Sequence, residues 1–149
     1  MKQSWRPALF LLLWSGLAQA AVIEVKIYDA FGAAYPTTEI GEQLGTLYNL
    51  EVETTMVLIL GPDLSDERLL QQEDIVAAID PAEHGILFAI GTPTETYTRG
   101  FSITPNAAAA LLPSGDAFRV LVLGPSGRVL YESDSVIPRD KLLQIAPGG

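Results

Sequence analysis

The sequence contains no cysteine. That absence excludes disulfides, thiol redox catalysis, thiolate metal sites and a cysteine nucleophile. Histidine is almost missing as well, with His84 the one imidazole in 149 residues. A Ser-His-Asp triad would have to be built on it, and no serine lies in a G-x-S-x-G elbow. Gly124-Pro125-Ser126-Gly127 has a superficial likeness to one, and a hairpin turn explains it better. A zinc site on a lone histidine would need carboxylates for its other ligands, an uncommon set. The G-x-G-x-x-G, P-loop and H-E-x-x-H patterns are absent too. Positive charge is scarce: nine Lys and Arg stand against 18 Asp and Glu. A chain this acidic is a poor partner for nucleic acid or for anionic membrane surfaces.

What is present begins with a segment that reads as a cleavable signal peptide, residues 1–20. Lys2 and Arg6 are followed by an unbroken apolar run at 8–14 (ALFLLLW), then by Ala18-Gln19-Ala20 ahead of Ala21. The apolar stretch is well short of the roughly 20 residues that span a bilayer. The expectation is a periplasmic or secreted protein starting at Ala21, with no membrane insertion after cleavage. Residues 21–149 then form one domain. Cleavage removes both tryptophans, Trp5 and Trp14, and leaves seven basic side chains against 18 acidic ones, a net charge of −11.

Strand and helix periods alternate along the remainder. Residues 22–28 (VIEVKIY) largely alternate apolar and polar, as a half-wet strand does, and 29–36 (DAFGAAYP) reads as a loop. Ile40, Leu44 and Leu47 form a helical stripe, interrupted by Gly41 and Gly45, which each cost about 1 kcal/mol relative to Ala. Residues 54–60 (TTMVLIL) and 85–90 (GILFAI) are apolar runs of the kind buried on both faces of a sheet. Between them lies a helix. Asp63 or Ser65 is its expected N-cap, Asp66 and Glu67 occupy its first turn, and Asp80-Pro81 stops it. After a polar loop at 92–100, Thr104-Pro105 starts a short helix. Residues 118–123 and 128–133 pair as a hairpin, and 139–146 close the chain as a helix.

The order β-α-β-α-β-α-β-β-α predicts an α/β, thioredoxin-like three-layer sandwich, with a mixed sheet and a C-terminal β-hairpin plus helix. Two stretches carry a more particular likeness: MVLILGPDLSDERLLQQ at 56–72 and FRVLVLGPSGRVLYESDSVIPRDKLLQIA at 118–146. In both, the chain resembles a family of short secreted bacterial proteins with a thioredoxin-like domain of unknown function. The resemblance implies fold and compartment, and no known substrate. In residues 22–50 and in the loop 92–100 the sequence departs from that family.

In thioredoxins the reactive Cys-x-x-Cys opens the helix after the second strand. Here the corresponding place is 62–68 (PDLSDER), without sulfur. One reading makes it a binding rim with Asp63, Ser65, Asp66 and Arg68 as polar groups. The other makes them caps and dipole partners, as expected at any helix start, and is favoured. Asp63, Asp66, Glu67, Glu73 and Asp74 invite a calcium site, but the stretch lacks the D-x-D-x-D-G rhythm, so a solvated helix face is expected. His84 is expected to be an exposed loop residue. Tyr28, Phe31, Tyr35 and Tyr48 are expected to pack in the first β-α unit rather than line a binding face. No catalytic residue, cofactor or metal is assigned. The functional expectation is a non-catalytic module that binds an envelope protein or peptide partner, through a sheet edge for instance. The alternative is a hydrolase using carboxylates and His84.

Overall fold

The computed structural model describes residues 21–147. The expected signal peptide, residues 1–20, lies outside the described residues. Seven strands form one mixed sheet: β1 (Lys26–Tyr28), β2 (Ala34–Pro36), β3 (Thr55–Leu60), β4 (Ile86–Gly91), β5 (Phe101–Ser102), β6 (Arg119–Leu123) and β7 (Val129–Ser133). Their order across the sheet is β2-β1-β5-β4-β3-β6-β7. β3 runs parallel to β4, and β4 to β5. The other neighbours are antiparallel. Five α-helices complete the described part of the domain: α1 (Ile40–Leu47), α2 (Glu67–Ala77), α3 (Pro81–His84), α4 (Pro105–Leu111) and α5 (Arg139–Ile145).

The apolar run of β3 feeds two cores because successive side chains leave opposite faces of a strand. Val57 and Ile59 join Val120 and Val122 of β6 under α2 and α5, through Leu69, Val76 and Leu142. Met56, Leu58 and Leu60 join Leu121, Leu123 and Ile27 under α1 and α4, through Ile40, Leu44 and Ala108. The register makes this possible, because Val57 pairs with Val122 and Leu58 with Leu121, so partners share a face. The result is the expected three-layer sandwich, with helices on both faces of a mixed sheet.

Three local expectations need correction, and one short strand was not anticipated. Residues 29–36 are not all loop: Asp29 turns the chain by accepting the N–H groups of Phe31 and Ala33, and 34–36 return as β2. Within 22–28, the strand is confined to β1, and Val22 makes an isolated bridge with Arg128. Phe101-Ser102 joins the sheet as β5, between β4 and β1. Asp80-Pro81 ends α2 but also opens α3, with the Asp80 carboxylate accepting Ala82 N–H and Pro81 at the first position. Gly85 then closes α3 at φ +69, where a Cβ would come within 2.3 Å of the Glu53 carbonyl oxygen.

Gly41 forms helix despite its intrinsic penalty, for a reason of packing. Its N–H donates to the Pro125 carbonyl at 2.8 Å, and a Cβ there would meet the Pro125 Cβ at 2.5 Å. The glycine lets α1 lie directly against the β6–β7 turn.

The β2 edge is blunted, and the β7 edge is covered at its start. Asp29 N–H bonds to Ala33 and Thr37 N–H to Val25, so the backbone groups of Ala34 and Pro36 face outward. Pro36 has no N–H, which leaves that edge a single donor. At the other edge, Ala21 accepts Val129 N–H at 2.8 Å and Ile23 donates to Gly127 at 2.9 Å, so the segment 21–23 runs along the start of β7.

Candidate functional site

In an open α/β sheet the carboxyl ends of parallel strands are where ligands are usually met. Here β3 and β4 end there together, at Leu60 and Gly91. The β3–α2 turn carries the four predicted rim residues, and the structure brings them together. Asp66, rather than Asp63 or Ser65, is the N-cap of α2. Its Oδ1 accepts from Arg68 N and Leu69 N at 3.0 and 3.2 Å. Asp63 makes its own turn one step earlier, accepting Ser65 N–H at 2.9 Å and Ser65 Oγ at 2.8 Å.

Arg68 closes the group. Its Nη2 donates to Asp66 Oδ2 at 2.8 Å and to the Asp116 carbonyl at 3.2 Å, and its guanidinium lies over the Phe118 ring. The hydrogen bond from Arg68 holds the Asp66 carboxyl below its usual value, with the backbone N–H bonds adding to the effect against partial burial. The first turn of a helix offers N–H groups and partial positive charge to anions. In this turn the chain's own carboxylates take them.

The loop 92–100 completes the closure from across the sheet end. Glu95 Oε2 accepts Leu64 N–H at 3.1 Å, and Thr94 Oγ1 donates to the Pro62 carbonyl at 3.2 Å. Thr92 ties the loop to itself by donating to the Glu95 carbonyl at 2.8 Å and accepting Glu95 N–H at 3.2 Å. Further along, Tyr97 is buried and its hydroxyl donates to Glu73 Oε2 of α2 at 2.8 Å. Burial, then the hydrogen bond and charge of Glu73, push the Tyr97 phenol up to about 12. Arg99 pairs with the same carboxylate at 3.2 Å and lies over the Tyr97 ring. Glu73 is therefore not part of a bare solvated face. No sequence signal marked this contact, which spans 24 residues.

The other candidates separate. His84 lies in the last turn of α3 rather than in a loop, and its side chain is only 17% exposed. It sits at the amino end of β4, whereas the rim lies beyond the carboxyl end of β3. The six-residue strand puts them roughly 20 Å apart. The carboxylate beside His84 is Glu83, at 3.7 Å. Among the described residues, no group of three or more His, Asp or Glu side chains is placed to hold a metal ion. No helix among them is long and apolar enough to cross a membrane.

The aromatic expectation fails in an informative way. Phe31, at the tip of the β1–β2 hairpin, is 97% exposed, and Tyr48, after α1, is 48% exposed. Tyr35 and Tyr48 both stack edge-to-face on Phe101, at 6.4 and 6.0 Å between ring centroids. Leu47, the third position of the helical stripe, is 57% exposed. The first β-α unit thus presents aromatics instead of burying them all.

Comparison with solved structures places this arrangement. A thio-disulfide isomerase from Thermus thermophilus superposes with a TM-score of 0.56 at 12% identity, over 85% of this chain and 92% of its own. The fold is thioredoxin-like. Peroxidoxin BcpB from Mycobacterium tuberculosis matches at TM-score 0.52 and 14% identity, over 86% of this chain and 96% of that one. The 2-Cys peroxiredoxin of Plasmodium vivax matches at 0.52 and 13%, over 85% and 91%. At these identities the likeness is one of fold. No protein-family profile matches the sequence, and no curated protein matches it significantly.

Proposed function

We propose that this protein is an exported, non-catalytic binding module that uses a thioredoxin-like scaffold to hold an envelope protein or peptide. The observation that carries the non-catalytic part of the reading is the start of α2. That is the place where thioredoxins keep their thiols. Here it bears Asp63, Ser65, Asp66 and Arg68, hydrogen-bonded in pairs and sealed by Glu95. The thiol chemistry named for the similar structures has no sulfur to work with in this chain. The hydrolase alternative draws no support from the separation of His84 from the rim carboxylates.

Export rests on the sequence of residues 1–20, and it sets the compartment in which the partner is sought. With the β2 edge blunted and the start of the β7 edge covered, strand addition is confined to the remainder of β7, and side chains supply the rest of the partner contact. The test is reciprocal co-purification from envelope extract, using tagged protein beginning at Ala21. One discrete protein should be enriched, and its own tagged form should return this chain. Nothing above background across several growth conditions would contradict the proposal.

A further inference from the structure

The exposed aromatics at the hairpin tip line a definite cleft. It has a volume of about 160 Å³ and is walled by Asp29, Ala30, Phe31, Tyr48, Gly100 and Phe101. The Tyr48 and Phe101 rings stand at 75° to each other and make a corner. Phe31 faces solvent over nearly its whole side chain and, with half-exposed Tyr48 beside the same cleft, offers apolar ring surface that a ligand could cover. Asp29 supplies the single charge in the lining. Its carboxylate is held rigidly: Oδ1 accepts Phe31 N–H and Ala33 N–H, both at 2.9 Å, and Oδ2 accepts the Tyr35 hydroxyl at 3.3 Å. A carboxylate has about four acceptor sites, so capacity remains on Oδ2. Arg99, the neighbour of Gly100 in the chain, is taken up by Glu73 and Tyr97.

Aromatic faces beside a fixed carboxylate attract an organic cation, through ring quadrupoles and Coulomb attraction together. The net charge of −11 on residues 21–149 draws positively charged partners to the surface at long range. We infer that the Asp29–Phe31–Tyr48–Phe101 cleft receives a lysine or arginine side chain of a basic peptide segment. The inference rests on the binding-module reading and specifies the chemistry of its partner. The apolar stem of such a side chain covers Phe31, and its charged head reaches Asp29.

The test uses the protein beginning at Ala21, a short lysine-containing peptide and the same peptide with glutamine in place of lysine. Binding is followed by the ring resonances of Phe31, Tyr48 and Phe101 in NMR. The lysine peptide should shift these resonances saturably, and the glutamine peptide should bind about tenfold more weakly or not at all. Phe31→Ala, Tyr48→Ala and Asp29→Asn should each weaken the lysine peptide by a similar factor. Phe31 and Tyr48 are exposed, and Asp29→Asn keeps a side-chain acceptor for the hairpin turn, so unchanged circular dichroism is expected in all three variants. Equal affinity for both peptides, or indifference to all three substitutions, would overturn the assignment. Choline displacing the peptide at equal affinity would also overturn it, because the cleft would then belong to a free quaternary ammonium. An envelope partner captured equally well by Phe31→Ala and Tyr48→Ala variants would sink this inference and leave the module reading standing. Specific peptide binding without any captured partner would do the reverse.

Discussion

Gln72 is fully buried, yet both ends of its amide are used. Oε1 accepts Ile137 N–H at 2.7 Å and Nε2 donates to the Ile137 carbonyl at 3.0 Å. One side chain thereby replaces a missing strand partner and pins the segment before α5 to α2. Gln72→Ala strands two buried backbone groups and should cost about 3 kcal/mol, read as a lower urea midpoint with an unchanged slope. Tyr97 makes a pH prediction. Its folded value of about 12 exceeds the ordinary 10.0, so the neutral phenol is the form the fold favours. Its contribution to stability is complete below the ordinary value and is lost as pH rises through the interval between the two. Tyr97 should titrate late in ultraviolet absorbance, as should Tyr35, which burial and the Asp29 carboxylate also raise; Tyr97→Phe should remove its own share of the late absorbance change and flatten the alkaline loss of stability. Asp66 behaves oppositely. Its folded value lies below the ordinary 3.8, so its contribution is present above that pH and disappears as acid protonates it. Asp66→Asn keeps a capping acceptor and should reduce the acid sensitivity of unfolding, followed by circular dichroism.

At the scale of elements, the helix start that defines the site was legible in kind and shifted in detail. The residues 62–68 announce a capped turn, and the cap is Asp66 because Asp63 spends its carboxylate on Ser65. Asp66→Ala should cost about 1 kcal/mol through the lost cap, measured by thermal unfolding. The buried strands β3, β4 and β6 were plain from their apolar runs. β2 was not, because Tyr35-Pro36 follows a stretch of glycine and alanine that carries no alternation, and only pairing with β1 makes it a strand. β5 has two residues, too few for any periodicity. The closure by Glu95 and the Glu73–Tyr97 contact depend on distant segments meeting, which no local pattern reports. Gly41 shows the same limit: a penalty in the sequence is a requirement in the fold. Gly41→Ala should destabilise by about 1–3 kcal/mol through its clash with Pro125, against the usual gain from alanine in a helix.

Over the whole molecule, the arrangement is asymmetric. One end of the sheet, with α2 and the loop 92–100, is closed by internal ion pairs and hydrogen bonds. The hairpin tip near Phe31 is open, aromatic and acidic. The three-layer scaffold holds both, and its lack of cysteine removes the chemistry that the similar folds are named for. The function proposed for it is recognition, and under that proposal its expected export and negative charge would direct recognition toward basic partners outside the cytoplasm. Reciprocal capture from envelope extract tests this most directly. The account predicts one partner recovered in constant proportion, in both directions, by protein beginning at Ala21. Capture of nothing above background would contradict it, and so would turnover of an envelope substrate lost on His84→Ala.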